Sequence, residues 1–98
     1  MATWFISRHQ GTVEWMKQQP IMVDHWVSHL EVGQIQAGDI VMGTLPLHLA
    51  AQVCQKGAKV YFLSLNVQEH QRGKELTREQ LNQQSCRLMP FYVKALEQ

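Results

Sequence analysis

Most of the side chains in this sequence that could handle a phosphate ester cluster directly after three apolar runs. A guanidinium can stabilise the charge that develops on a phosphate, an imidazole can move a proton, and hydroxyls and backbone amides can hold the phosphate in place. These residue types in this pattern predict a site for a small anionic ligand. The candidate residues are Ser7, Arg8, His9, Gly11, Gly43, Thr44, Leu45, His48, Ser64, Asn66 and Arg72.

The three apolar runs predict the strands that position these residues. Residues 3–7, 39–44 and 59–65 are rich in Val, Ile, Phe and Tyr, as is typical of strands buried on both faces of a parallel sheet. Residues 21–30 predict another strand. RLMPFYVKAL predicts a final strand, and its proline indicates either an edge position or a late start. We predict a single α/β domain over all 98 residues, and the family resemblance given below implies that it is Rossmann-like. Its mainly parallel sheet would have four to five strands, flanked by about three helices.

The predicted helices lie between these strands. A weak helical pattern covers residues 12–19 and is stopped by Pro20. The next helix has Pro46 at its first position and ends before Gly57. A capping box in LTREQL predicts a third helix from about residue 78. The buried stripe predicted for the second helix consists of Leu47, Ala50, Ala51 and Cys54.

This topology brings the candidate residues to one edge of the sheet. Parallel α/β sheets bind ligands outside the carboxyl ends of their strands, beside helix N-termini. Asp24 and Asp39, by contrast, fall at strand starts or on another edge. Metal-dependent phosphoryl transfer needs clustered carboxylates. We therefore expect no metal and no cofactor at the candidate edge.

The residues suit a metal-free cleavage in which a ribose 2′-hydroxyl attacks its own phosphate. Arg8 and Arg72 would stabilise the developing charge, and backbone amides near Thr44 would hold a phosphate. His9 is the first candidate for the acid or base, and His48 is the second.

Each of these residues also has an interpretation without function. Arg8 could pair with Glu14 across the first turn. His9 and His48 could be ordinary exposed residues. Gly43 could serve only a tight turn from strand to helix.

The two histidines of residues 21–30 allow a second interpretation. If this segment were helical, His25 and His29 would lie one turn apart and could bind zinc. Its β-branched and aromatic residues favour a strand instead. We then expect both histidines on one face of that strand.

The composition excludes several classes of protein. Of the residues, 45% are hydrophobic and 17% are charged, and the formal net charge is only +1. This composition argues against disorder and against a general DNA-binding surface. We see no targeting or membrane-spanning run. We expect a cytoplasmic protein with reduced, inert thiols at Cys54 and Cys86 that binds neither DNA nor membranes.

Nearly the whole chain resembles a small family of CRISPR-associated accessory proteins that occur beside type III interference genes. The resemblance is carried by FISRHQGTVEW, HLEVGQIQAGDIVMGTLPLHLAAQVCQKGA and FLSLNVQEHQRGKELT. The family is similar in fold to Rossmann-like domains that sense cyclic oligoadenylate, and it looks like a group of ring nucleases. The matching positions are Ser7, Arg8, His9, Gly11, Gly43, Thr44, His48, Ser64 and Arg72.

This resemblance implies an activity and a partner. The protein would cleave the second messenger cyclic tetra-adenylate to linear di-adenylate with a 2′,3′-cyclic phosphate, and so switch off type III CRISPR signalling. It would act as a homodimer whose two-fold axis matches the symmetry of the ring. One alternative is a non-catalytic binder that sequesters or senses the messenger. Another is a structural or partner-binding domain with ordinary polar loops.

Overall fold

The computed structural model describes residues 1–64 and 87–96 of the chain. The strands and helices in these ranges are β1 (Thr3–Ile6), α1 (Gln10–Lys17), β2 (His25–Val27), a short 3-10 helix (Val32–Gln34), β3 (Ile40–Gly43), α2 (Leu47–Gln55), β4 (Lys59–Ser64) and β5 (Arg87–Phe91).

The five strands form one sheet in the order β2-β1-β3-β4-β5. The first four in this order are parallel, and β5 pairs antiparallel with β4. The chain moves from β1 outward to β2 and then returns to the other side of β1 as β3. The strand order therefore reverses between β1 and β3, as in doubly wound folds that bind ligands at this point. The predicted α/β, Rossmann-like fold with a mainly parallel sheet is confirmed.

The central strands β1 and β3 are buried on both faces of the sheet, as their apolar residues predict. α1 and α2 lie on opposite faces of the sheet. Successive side chains of a strand point to opposite faces, so each strand contributes residues to both cores. The α2 face buries Trp4, Ile6, Val41, Val53 and Val60. The α1 face buries Phe5, Trp15, Met16, Met42 and Leu63.

α1 begins two residues earlier than its periodicity predicts. Its first residue is Gln10, and its N-cap residue is His9, whose backbone is extended. The His9 carbonyl accepts the first helical hydrogen bond, from the amide of Val13. Because the Ser7 hydroxyl accepts a hydrogen bond from the His9 amide at 3.1 Å, the chain turns into the helix directly after β1.

α2 differs from its prediction in its first turn. Pro46 is the N-cap residue and not the first helical residue, because its ψ of 147° is extended. Leu47 is 69% exposed, so its assignment to the buried stripe is wrong. It lies in the first turn of the helix, at the edge of the sheet where the core ends. Gly57 follows the helix with a φ of 88°, as the predicted end requires. The other three residues of the predicted stripe are confirmed as buried: Ala50, Ala51 and Cys54. Val53, which was not predicted, is buried as well.

β2 is much shorter than the predicted strand 21–30. It has three residues and pairs only with β1 among the described strands. The expectation that His25 and His29 share a face of this strand is therefore wrong, because His29 follows the strand. The His25 ring instead stacks on Trp4 at a centroid distance of 4.1 Å.

β5 confirms the position expected from its proline. Pro90 lies opposite Tyr61 in the antiparallel pair, at the edge of the described sheet. A proline has no amide proton to donate to a neighbouring strand, and an edge strand tolerates this because one of its sides has no neighbour. The predicted third helix, from about residue 78, lies outside the described residues, as does Cys86.

The two aspartates lie at the amino edge of the sheet and hold the strand starts together. The Asp39 carboxylate accepts hydrogen bonds from the Ala2 amide at 2.9 Å, the Gln36 amide at 3.0 Å and the Trp4 indole at 3.3 Å. The bond from the Ala2 amide, followed by that from the Gln36 amide, lowers the pKa of Asp39. Asp24 accepts a hydrogen bond from the Thr3 amide at 2.8 Å.

Candidate functional site

A cleft of about 450 Å³ lies at the carboxyl edge of the sheet, where the loops that follow β1, β2 and β3 meet. It adjoins the point between β1 and β3 where the strand order reverses. This is the position at which doubly wound sheets bind ligands. Its lining residues are Ile6, Ser7, Arg8, His9, Ser28, His29, Leu30, Thr44, Leu45, Pro46 and Leu49.

The loop after β1 places three predicted residues in the cleft. Ser7 is buried, and its amide donates to the Val27 carbonyl of β2 at 3.1 Å. Arg8 and His9 follow and are exposed. Although His9 is the N-cap residue of α1, its side chain makes no capping hydrogen bond. Its imidazole is therefore not used to hold the helix.

Arg8 contacts a histidine that the sequence did not connect with it. Its Nη2 lies 3.1 Å from Nδ1 of His29. A guanidinium can only donate, so Nδ1 must accept. His29 in this contact is therefore neutral, with its proton on Nε2. This hydrogen bond replaces the ion pair with Glu14 that the sequence allowed.

The loop after β3 contributes a hydroxyl and apolar surface. Thr44 and Leu45 line the cleft as predicted. The Thr44 amide donates to the Ile6 carbonyl at 3.2 Å, so this amide is not available to a phosphate. That other backbone amides near Thr44 hold a phosphate stays a prediction. The hydroxyl of the exposed Thr44 side chain remains as the group that can contact a ligand.

Gly43 has a clear packing role beneath the cleft. Its φ is 122°, and a Cβ added there would collide with the backbone carbonyl of Ile6. Only glycine tolerates both conditions. The tight-turn interpretation of Gly43 is therefore supported, and Gly43 does not line the cleft.

Three other predicted residues do not line the cleft. Gly11 is buried in the first turn of α1. His48 is exposed, next to the lining residue Leu49 in the first turn of α2. Ser64 ends β4, two strands from β1. Asn66 and Arg72 lie outside the described residues.

The residues that follow β2 were not among the predicted site residues. Ser28, His29 and Leu30 line the cleft, because β2 runs parallel to β1 and ends at the same edge. The signal was available in the sequence: a strand ending at residue 27 would place Ser28-His29 beside Ser7-Arg8. Arg87 was missed as well. It begins the antiparallel β5 opposite Ser64, so it too lies at the carboxyl edge.

The charges of the cleft have one sign. The described lining residues include one arginine and two histidines, and none of them is acidic. Both aspartates lie at the opposite edge, bound to backbone amides. Among the described residues, no group of three or more His, Cys, Asp or Glu side chains could hold a metal ion. The arrangement can therefore bind an anion through a guanidinium, imidazoles and hydroxyls.

The fold and the cleft define a doubly wound α/β domain with a cationic, partly apolar cleft at its switch point. The chain belongs to the family described as "Putative CRISPR-associated protein (Cas_VVA1548)", whose family model matches residues 4–94. The predicted association with CRISPR systems is thereby confirmed. Neither the curated proteins nor the solved structures contain a significant match. Within the described ranges, no helix is long and apolar enough to cross a membrane.

Proposed function

We propose that this protein is a metal-independent ring nuclease that binds and cleaves cyclic tetra-adenylate in type III CRISPR defence. One observation carries the proposal: in a chain of a CRISPR-associated family, the cleft at the switch point is lined by Arg8, His9 and His29 and by no described acidic residue. A cyclic oligonucleotide has phosphates that need cations and bases that need apolar surface.

The cleft offers both kinds of surface. The polar side consists of Ser7, Arg8, His29 and Thr44. The Arg8 guanidinium and the Thr44 hydroxyl can contact a phosphate, whereas Ser7 and His29 are bonded to the His9 backbone and to Arg8. The apolar side can receive an adenine base, since nucleobases bury flat, weakly polar faces. Its residues are Ile6, Leu30, Leu45, Pro46 and Leu49.

The chemistry follows from these groups. The ribose 2′-hydroxyl attacks the adjacent phosphorus, the bond from phosphorus to the 5′-oxygen breaks, and a 2′,3′-cyclic phosphate forms. Arg8 stabilises the charge on the non-bridging oxygens. His9 exchanges the proton, as the acid for the leaving 5′-oxygen or as the base for the 2′-hydroxyl. A group of this kind contributes about 10²–10⁴-fold to the rate. His48 keeps its place as the second candidate for this role.

A symmetric dimer would complete the site. The cleft of about 450 Å³ lies within the range of roughly 300–1,000 Å³ that holds one drug-sized ligand. A ring of four nucleotides is larger than that, and it has two-fold symmetry. We propose that two copies of the chain each supply Arg8 to the ring. Residues outside the described ranges, Asn66 and Arg72 among them, would add further contacts, and so would Ser64.

A non-catalytic binder is the second candidate, and one observation favours it. The imidazole of the cleft with a fixed partner, His29, uses its Nδ1 lone pair to hold Arg8. His9, the proposed proton-exchanging group, is exposed and does not cap its helix. A protein that only sequesters the messenger would need no more than this.

Product analysis separates the two candidates. The purified full chain is incubated with cyclic tetra-adenylate in EDTA, and the products are separated by chromatography. Linear di-adenylate with a 2′,3′-cyclic phosphate supports the metal-independent nuclease. Intact ring recovered from a tight complex supports the binder. Absence of both binding and cleavage contradicts both proposals.

A further inference from the structure

We propose that His29 is a positioning residue, which holds the Arg8 guanidinium in the cleft for phosphate binding. This inference rests on the proposed function, since it concerns how the same cleft meets its ligand. Its basis is the hydrogen bond of 3.1 Å between Arg8 Nη2 and His29 Nδ1, which joins residues 21 positions apart in the sequence.

The backbone brings these two side chains together. Arg8 follows β1 and His29 follows β2, and the two strands are parallel neighbours. One residue before Arg8, the Ser7 amide donates to the Val27 carbonyl at 3.1 Å. This bond ties the two loops to each other directly beneath the contact. The position of His29 relative to Arg8 is therefore fixed by the sheet.

The contact leaves Arg8 with free donors. A guanidinium has five N–H donors in a planar fork, and the bond to His29 uses one of them. The others remain for a phosphate, which arginine binds best through two parallel hydrogen bonds. An exposed arginine without a partner would have to give up its side-chain freedom on binding. His29 reduces this cost because it orders the side chain beforehand.

The same contact assigns the role of His29 itself. Its Nδ1 lone pair is occupied by Arg8, so it cannot accept a proton there without losing the arginine. Its Nε2–H belongs to a neutral imidazole, which is a hydrogen-bond donor but a very weak acid. His29 therefore acts through Arg8, whereas the proton exchange is left to another group. His9, which has no such contact with Arg8, fits that description.

Four variants of the full chain test this role through the dissociation constant for cyclic tetra-adenylate. His29→Ala removes the acceptor, and we expect binding to weaken about tenfold or more, the effect of one lost hydrogen bond to a charged group. His29→Asn places an amide oxygen near the position of Nδ1, and we expect binding within about threefold of wild type. In Arg8→Ala, adding His29→Ala should have little further effect, because the residue to be positioned is gone.

Two further variants control for the loss of any exposed histidine and for the failure of His29→Ala to fold. His25→Ala removes another exposed histidine, which begins β2 three residues before the lining residue Ser28 and stacks on Trp4, and it should leave binding unchanged. If His29→Ala does not fold, His29→Gln replaces it. The longer glutamine amide reaches the position of Nε2 and not that of Nδ1, so it should bind as weakly as the alanine variant.

The possible contrary results are distinct. Wild-type binding by His29→Ala, together with weak binding by Arg8→Ala, overturns the positioning role and leaves the proposed function intact. The same holds if the asparagine variant binds as weakly as the alanine variant, or if the loss persists undiminished without Arg8. Wild-type binding by Arg8→Ala overturns both this inference and the proposed cleft.

Discussion

The two edges of the sheet use their charged residues in opposite ways. At the amino edge, Asp39 is 5% exposed and accepts three hydrogen bonds from the protein itself. Asp24 there also binds a backbone amide. At the carboxyl edge, Arg8, His9 and His29 are exposed and line a cleft. The negative charges stabilise the fold, and the charge of Arg8 is available to a ligand.

The direction of the strands explains this difference. At the amino edge, strand and loop amides need acceptors, and the two aspartates supply them. At the carboxyl edge, α1 and α2 begin, and the N-terminus of a helix carries a partial positive charge. Negative side chains there would compete with an anionic ligand.

At the carboxyl edge, Gly43 packs closely against the backbone of Ile6. Gly43→Ala should lower the free energy of unfolding by more than about 3 kcal/mol, because a Cβ would collide with the Ile6 carbonyl at a φ of 122°. Thermal or denaturant unfolding measures this loss. Gly33→Ala is the matched control, since no atom lies within 4 Å of a Cβ built there. Equal stability of the two variants would show that the close approach of β1 and β3 is not required.

Arg8→Ala should produce the largest loss of activity with little loss of stability. We expect cleavage of cyclic tetra-adenylate to fall about 100- to 1,000-fold, the usual effect of removing one group that stabilises developing charge. Because Arg8 is exposed, the free energy of unfolding should change by about 0.5 kcal/mol or less. Lys59→Ala, an exposed cation at the amino end of β4, is the control and should retain activity. A similar loss in both variants would mean that net charge, and not the cleft, binds the ligand.

His9→Ala separates the chemistry from binding. If His9 exchanges the proton, single-turnover cleavage should slow about 100-fold or more, while the dissociation constant changes by only a few-fold. Performing the same measurement with His48→Ala tests the second candidate for this role. A loss confined to His48→Ala would transfer the role to the first turn of α2. Unchanged cleavage in both variants would place the acid or base elsewhere.

The Asp39 carboxylate predicts a pH dependence of stability at the amino edge. Its pKa is lowered in the folded state, so its contribution is fully present above the unfolded value of about 3.9 and is lost as the pH falls through the folded value. Asp39→Asn should lower the melting temperature at pH 7, and the difference from wild type should shrink in acid. Ligand binding at pH 7 should not change. Asp24→Asn, with its exposed side chain, should have a smaller effect on melting.

The parts of this molecule that local sequence determines were predictable. Apolar runs gave β1, β3 and β4, and Pro46 and Gly57 marked α2 to within a residue. Four of the features that matter most in the site depend on pairing between distant segments. β2 ends at residue 27 because it follows the length of β1, and the contact between Arg8 and His29 follows from that end. The need for glycine at position 43 arises from Ile6, and the direction of β5 brings Arg87 to the carboxyl edge.

Locating bound cyclic tetra-adenylate on the protein tests directly whether the anion site lies at the carboxyl edge of the sheet. The isotope-labelled full chain is titrated with cyclic tetra-adenylate, and the backbone amide resonances are followed by NMR. We predict that the largest shifts occur in residues 7–9, 28–30 and 44–46, the three loops that line the cleft. Shifts concentrated around residues 36–40 at the amino edge would contradict the assignment of the anion site to the carboxyl edge. So would the absence of any shift at saturating ligand.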